Sequence, residues 1–180
     1  MSIGKFEVKN GKLIVSDPCY ERGGGNDIGN VKNGTWHGYV RMSDEGEWGR
    51  RVAELEARHE DILTMSQLTK VETMPFVVGV DSGQAGIFCD SIYLGGECGE
   101  YGDLDTFYGR ACAATYDEKS PRSKCAGVVD GGGIVSSSGY GDGGYRCRVG
   151  RNADGQVVMV NVMFIGDEDE EGDLEEEEEE

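Results

Sequence analysis

The sequence predicts a mainly β protein: a single antiparallel β-sandwich-like domain with glycine-rich loops and a disordered acidic C-terminal tail. Three observations support this fold class. The 180 residues include 30 glycines and only three prolines, more than twice the usual glycine share of about 7%, which favours many tight turns. Short apolar or alternating runs lie between those turns. The last 14 residues hold 12 acidic side chains and no basic one.

The strands follow in chain order from these runs. GKFEV and KLIVS flank Lys9-Asn10-Gly11, which predicts a hairpin because Asn-Gly tolerates the positive φ angles of a two-residue turn. A glycine turn precedes residues 85–89, and DGGG separates the next two runs. The further strands predicted are residues 35–42, 76–80, 85–89, 126–129 and 133–136.

Three further segments have hydrophobic patterns that differ from those of these short runs. Residues 51–59 fit a helix with Val52, Leu55 and His59 on one face, or a strand in which apolar and charged residues alternate, and we favour the strand. Residues 91–106 have no clear period and predict a long excursion over one end of the sheet. Residues 156–165 (QVVMVNVMFI) are apolar on both faces, which predicts a central strand paired with residues 145–150 in a terminal hairpin.

Charge divides the chain at about Gly166. The formal net charge is −18, but residues 1–166 hold 23 acidic and 17 basic side chains, or about −6. We therefore predict a folded domain over 1–166 and a solvated tail over 167–180, which could attract a partner with a basic surface. The Arg50-Arg51 pair is the longest basic cluster, so direct binding of nucleic acid is not expected.

Composition also bears on compartment and redox state. Neither an apolar leader nor a membrane-length apolar stretch is visible, so we expect a soluble cytoplasmic protein with no membrane contact. Six cysteines without a C-x-x-C pair argue against a zinc site and predict reduced thiols. Exposed sheet edges leave a dimer possible.

Several kinds of catalytic and cofactor site lack their motifs. The chain has no Walker phosphate loop, no G-x-S-x-G elbow and no H-E-x-x-H, and it has only two histidines, His37 and His59. Gly139, Gly141 and Gly144 satisfy G-x-G-x-x-G, but a strand rather than a helix is predicted to follow. No cofactor is expected, apart from a possible divalent cation.

Polar clusters stand at the ends of three predicted strands and could converge on one rim of the sheet. One interpretation is a metal or acid/base site made by carboxylates; the other is that these residues cap turns by bonding nearby backbone. Asp81, Asp90 and Asp142 are the candidate metal ligands. The candidate residues for binding a ligand or partner are Asp17, Asp81, Gln84, Ser138, Tyr140, Asp142 and Tyr145.

VDSGQAGIF, DGGGIVSSSGYGDGGY and QVVMVNVMFI resemble the C-terminal half of the bacterial and phage domain-of-unknown-function family DUF4241, over roughly residues 76–165. KLIVSDPCY resembles an early strand end of the same family. The resemblance implies a β-rich, sandwich-like fold and brings no established reaction with it. The family's motif positions are occupied by Asp17, Asp81, Gly83, Asp90, Ser138, Gly139, Gly141, Asp142 and Tyr145.

Two functions from different classes remain open. The first is a binding or interaction protein rather than an enzyme, acting as a phage or mobile-element accessory factor through its rim loops and acidic tail. The second is a metal-assisted hydrolase in which Asp81, Asp90 and Asp142 hold a divalent ion that activates water.

Overall fold

The structure is a computed structural model that describes residues 1–22, 26–95, 102–120 and 124–166. The predicted tail, residues 167–180, and Cys98 lie outside the described residues. The described residues form eleven β-strands and one α-helix: β1 (Ser2–Val8), β2 (Leu13–Ser16), β3 (Asp27–Ile28), β4 (Gly34–Asp44), β5 (Arg50–His59), β6 (Lys70–Val80), β7 (Gln84–Cys89), α1 (Phe107–Thr115), β8 (Ala126–Val129), β9 (Gly133–Ser137), β10 (Gly143–Arg151) and β11 (Val157–Met163).

The strands form two antiparallel sheets, neither of which closes into a barrel. The larger sheet has six strands in the order β1-β4-β5-β11-β10-β6, and the smaller has five in the order β3-β2-β7-β9-β8. Neighbouring strands pair in antiparallel register throughout. The predicted mainly β, sandwich-like fold is confirmed.

Two apolar cores arrange these elements in three layers. The main core lies between the sheets, where Trp36 and Leu55 of the larger sheet pack in one cluster with Ile87 of the smaller. A second core lies between the smaller sheet and α1, and in it the rings of Phe88 and Phe107 are 5.3 Å apart. The smaller sheet is therefore covered on both faces, which explains why every residue of β7 is buried.

Most strand predictions are confirmed. Residues 51–59 form a strand rather than a helix, within β5, and their alternation places Leu55 and Ala57 in the core. Residues 145–150 and 156–165 supply the antiparallel pair β10 and β11. β11 is internal to the six-stranded sheet and nearly all its residues are buried, as its apolar faces predicted.

The predicted hairpin at Asn10-Gly11 is wrong. β1 pairs with β4 in the larger sheet, whereas β2 pairs with β3 and β7 in the smaller one. Gly11 does adopt a positive φ of 67°, and its backbone N–H donates to Asn33 Oδ1 at 2.7 Å. The turn chemistry was therefore predicted correctly, but the turn carries the chain from one sheet to the other.

The helix α1 was not predicted. It follows directly after the 91–106 segment, of which residues 96–101 lie outside the described part of the chain. Thr106 caps the helix, since its Oγ1 accepts from the Gly109 N–H at 3.0 Å. Within the described residues, no helix is both long and apolar enough to cross a membrane.

Candidate functional site

Asp17 joins two loops at one end of the sandwich. Its side chain is fully buried, and its carboxylate accepts hydrogen bonds from the backbone N–H groups of Cys19 (2.9 Å), Asp81 (2.9 Å) and Ser82 (2.7 Å). The Ser82 hydroxyl donates a fourth bond at 2.6 Å. Four donors compensate the buried charge, and they tie the end of β2 to the turn between β6 and β7.

The carboxylates of Asp81 and Asp142 both accept hydrogen bonds at that turn. Asp142 Oδ1 accepts from the Gly83 N–H at 3.0 Å, and Gly83 has the positive φ, 70°, that the tight turn requires. The Tyr20 hydroxyl donates to Asp81 Oδ2 at 2.5 Å. This hydrogen bond, followed by burial, raises the pKa of Tyr20, so Tyr20 stays a donor at neutral pH.

The SSSGYGDGGY segment is a shaped loop that crosses from β9 in the smaller sheet to β10 in the larger. Ser138 Oγ donates to the Gly141 carbonyl at 2.9 Å, and the Tyr145 hydroxyl donates to the same oxygen at 2.5 Å. The Ser138 N–H donates to the Gly83 carbonyl at 3.1 Å. These bonds hold the loop against the 81–83 turn and leave the Tyr140 side chain 56% exposed.

A polar cavity of 380 Å³ opens between this turn and α1. Ser82, Gln84, Tyr108, Cys112 and Ser137 are among its lining residues. Gln84 is oriented from both ends of its amide: Oε1 accepts from the Thr115 hydroxyl at 2.9 Å and Nε2 donates to Cys112 Sγ at 3.4 Å. Burial, and then the neighbouring Cys112 thiol, raise the pKa of Tyr108 to about 12. The Tyr108 hydroxyl therefore stays protonated at pH 7 and can donate a hydrogen bond, and one acidic residue, Glu118, also lines the cavity.

A larger cavity of 660 Å³, which we call the basic groove, lies next to it. Its charged lining residues are Arg50, Arg51 and Lys124; its aromatic ones are Trp48 and Tyr116; and no acidic residue is among the described residues that line it. At its edge the Arg51 guanidinium stacks 5.3 Å from the Tyr140 ring centroid. Thr115, Tyr116 and Ser137 line both cavities.

Comparison with known protein families gives one match, over residues 6–162, to the family described as "Protein of unknown function (DUF4241)". The chain belongs to the DUF4241 family. The match includes β2 to β10 entire, so the residues of the 81–83 turn and of the 138–142 loop lie within the matched region. No curated protein and no solved structure matches the chain.

Six of the predicted site residues of this DUF4241 protein meet at one end of the sandwich. Asp17, Asp81, Gln84 and Asp142 lie in or beside the turn between β6 and β7, and the 138–142 loop bonds to it through Ser138. Tyr145 braces that loop from within β10. Tyr140 is the seventh predicted residue and points outward next to Arg51.

Asp90 does not join this group, so the prediction that it shares one rim with Asp81 and Asp142 is wrong. It follows β7 at the strand's opposite end, roughly 17 Å away for a six-residue strand. There Arg22 Nη1 donates to Asp90 at 2.6 Å and Asn10 at 2.9 Å; burial opposes ionisation, but these bonds outweigh it and lower the pKa of Asp90. Within the described residues, no three His, Cys, Asp or Glu side chains form a metal-binding group.

The cationic and helical residues of the site were not predicted. Arg50 and Arg51 were identified only as the longest basic pair, and Lys124 lies 73 positions further along the chain, so no local pattern connects them. Cys112 and Thr115 enter the polar cavity on α1. Thr106 preceding the alanine-containing run FYGRACAAT was the available signal for that helix.

Proposed function

We propose that this DUF4241 protein is a binding protein that takes an acidic segment of a protein partner into the basic groove. The observation that carries the proposal is the sign of the groove's charge. In a chain of net charge −18, the described lining of this cavity has three cations and no carboxylate. A surface of one charge sign selects a partner of the opposite sign and accelerates its encounter.

The residue types around the groove support protein recognition. Trp48 is 68% exposed, Tyr140 56% and Tyr116 39%, and the arginine beside Tyr140 lies over its ring. Tryptophan, tyrosine and arginine are the residues that most often dominate the binding energy of protein interfaces. Large aromatic side chains exposed around a cationic groove therefore fit an acidic peptide with apolar positions.

The carboxylates of the rim support a structural role. Asp17, Asp81 and Asp142 each accept hydrogen bonds from neighbouring loops, which fixes the 81–83 turn and the 138–142 loop on which Tyr140 is displayed. The hydrolase hypothesis needs Asp90 beside Asp81 and Asp142, and Asp90 lies at the other end of β7. We therefore favour binding over metal-assisted hydrolysis.

The proposal also covers the protein's location and a second contact with its partner. We propose a cytoplasmic accessory factor of a phage or mobile element whose partner carries an acidic segment for the groove. A basic surface on that partner would contact the acidic run, residues 167–180. No nucleic-acid contact is proposed.

The test begins with a photo-reactive phenylalanine analogue placed at Tyr140 and, as control, at Leu63, which is 80% exposed on another loop. A partner cross-linked from position 140 and not from 63 is then purified for affinity measurements. Arg50→Gln with Lys124→Gln should weaken its binding at least about tenfold, the scale for losing two charge contacts. The matched control, Lys9→Gln with Lys70→Gln, removes the same charge elsewhere and should change little. Equal affinities for the two double variants would refute the groove as the binding site.

A further inference from the structure

The basic groove has a candidate occupant within the same chain. We infer that the acidic run, residues 167–180, binds in the groove and covers Trp48 and Lys124 when no partner is present. The inference rests on the groove's position and charge, and it does not depend on the identity of the partner.

The described chain ends at the wall of the groove. The N–H groups of Phe164 and Ile165 both donate to the Ala53 carbonyl, at 2.8 and 3.1 Å. A Cβ built on Gly139 would lie 3.2 Å from Ile165 Cγ1 and 3.4 Å from the Val52 carbonyl oxygen. Gly139 and Val52 both line the groove, so the last described residues pack against its wall.

Length and tethering favour contact within one molecule. Fourteen residues can span up to roughly 45 Å when extended, more than the width of a cavity of 660 Å³. Because the run is covalently joined to the domain, its effective concentration at the groove is on the order of millimolar. Weak individual contacts are therefore sufficient for substantial occupancy.

Charge makes the pairing specific. The acidic run carries 12 carboxylates, whereas residues 1–166 hold more acidic than basic side chains, 23 against 17, so the domain as a whole does not attract it. Among the cations of the groove, Arg50 and Lys124 have no ion-pair partner among the described residues. These two side chains can accept carboxylates without breaking an existing pair.

The consequence for binding is competition. A partner segment must displace the acidic run, so its apparent affinity is reduced by the fraction of molecules whose groove is open. Once displaced, the acidic run is available to bind a basic surface. Binding of a partner segment in the basic groove would therefore favour binding of the acidic run to that surface.

The first measurement is zero-length carbodiimide cross-linking of the full chain, which joins a carboxylate to an amine only when the two are in contact. Mass spectrometry should find residues 167–180 joined to Lys124, in preference to Lys9 and Lys70. The yield should fall at least about fivefold between 0.02 and 0.5 M salt, because the Debye length shrinks from roughly 20 Å to about 4 Å. Equal yields at all three lysines would overturn the inference.

The second measurement is acrylamide quenching, which reports the exposed Trp48 because Trp36 is completely buried. A full-length variant with each Asp of 167–180 changed to Asn and each Glu to Gln should be quenched more strongly than the wild type. Arg50→Gln with Lys124→Gln should be quenched like that variant, and Lys9→Gln with Lys70→Gln like the wild type. Identical quenching of all four proteins would also overturn the inference.

Mixing isotopically labelled and unlabelled chains before cross-linking separates contact within a molecule from contact between copies. Mixed-label products would overturn the intramolecular placement and indicate a second copy as the occupant. Failure of these experiments leaves the affinity test with a protein partner intact, because that test measures the groove cations whatever the acidic run does.

Discussion

Asp17 is the residue on which the shape of the rim depends most directly. It is an ionisable side chain with no exposure at all, and its oxygens accept from three backbone N–H groups and one hydroxyl. Removing the carboxylate would leave those donors buried without an acceptor, which costs about 1–3 kcal/mol for each group that water cannot reach.

We therefore predict that Asp17→Ala lowers the free energy of unfolding by about 3 kcal/mol or more. Asp142→Asn is the control, because Asp142 is exposed and accepts a single bond from Gly83, and it should cost less than about 1 kcal/mol. Urea denaturation followed by circular dichroism measures both values. Similar losses for the two variants would contradict a special role for Asp17.

The buried thiol of Cys147 should make the free energy of unfolding depend on pH. Burial raises the pKa of its thiol to about 12, whereas an unfolded cysteine has a pKa near 8.5. Between these values the unfolded chain releases the proton and the folded chain keeps it. The stabilisation is therefore complete below about pH 8.5 and declines above it, by up to about 1.4 kcal/mol per pH unit until about pH 12.

Cys147→Ala should consequently lose stability less steeply than the wild type between pH 9 and 11, by about 1.4 kcal/mol per pH unit. Val149→Ala removes a buried side chain that does not titrate, so it serves as the control and should keep the wild-type slope. The measurement is urea denaturation at several pH values. Parallel curves for the wild type and Cys147→Ala would show that this thiol does not titrate as stated.

The sequence predicted the turn-forming residues of the site, but it did not predict the cations of the basic groove. Asp17, Gly83, Ser138 and Asp142 stand at strand ends in turn-forming contexts, and turn preferences are local. Arg50 and Lys124 meet only because β5 and the segment before β8 are brought together by both sheets. Such a charge cluster depends on the tertiary fold and has no local signature.

At the scale of elements, α1 covers the outer face of the smaller sheet and forms one wall of the polar cavity. Its N-terminus depends on Thr106, whose hydroxyl accepts from the Gly109 N–H. We predict that Thr106→Ala costs about 1 kcal/mol, the usual cost of losing an N-cap, and that Thr106→Ser costs little because serine caps equally well. Thermal unfolding compares the two variants, and an equally stable alanine variant would argue against the cap.

The elements that were predicted well are those fixed by local pattern. The alternation in residues 51–59 and the continuous apolar run of β11 each agree with the burial that the strand receives. The hairpin predicted between β1 and β2 was wrong because Asn10-Gly11 determines only the turn. The pairing partners of β1 and β2 depend on which sheet buries their apolar faces. Sheet membership is a long-range property.

At the scale of the molecule, strand pairing is mostly non-local. β5 pairs with β11, and β6 pairs with β10, between residues 63 to 109 positions apart in the chain. We predict refolding in milliseconds to seconds, as for β proteins with distant pairings, measured by stopped-flow dilution from urea with the buried Trp36 as the signal. Completion within microseconds would contradict this. The dimer that exposed sheet edges would allow stays a prediction, to be checked by analytical ultracentrifugation.

The two cavities share a wall. Because Thr115, Tyr116 and Ser137 face both spaces, an occupant that shifts Tyr116 in one cavity changes the shape offered to an occupant of the other. Any such effect is reciprocal: if a small molecule in the polar cavity alters the affinity for an acidic segment by some factor, the acidic segment alters the affinity for the small molecule by the same factor. The affinity measured for one cavity would then depend on whether the other is occupied.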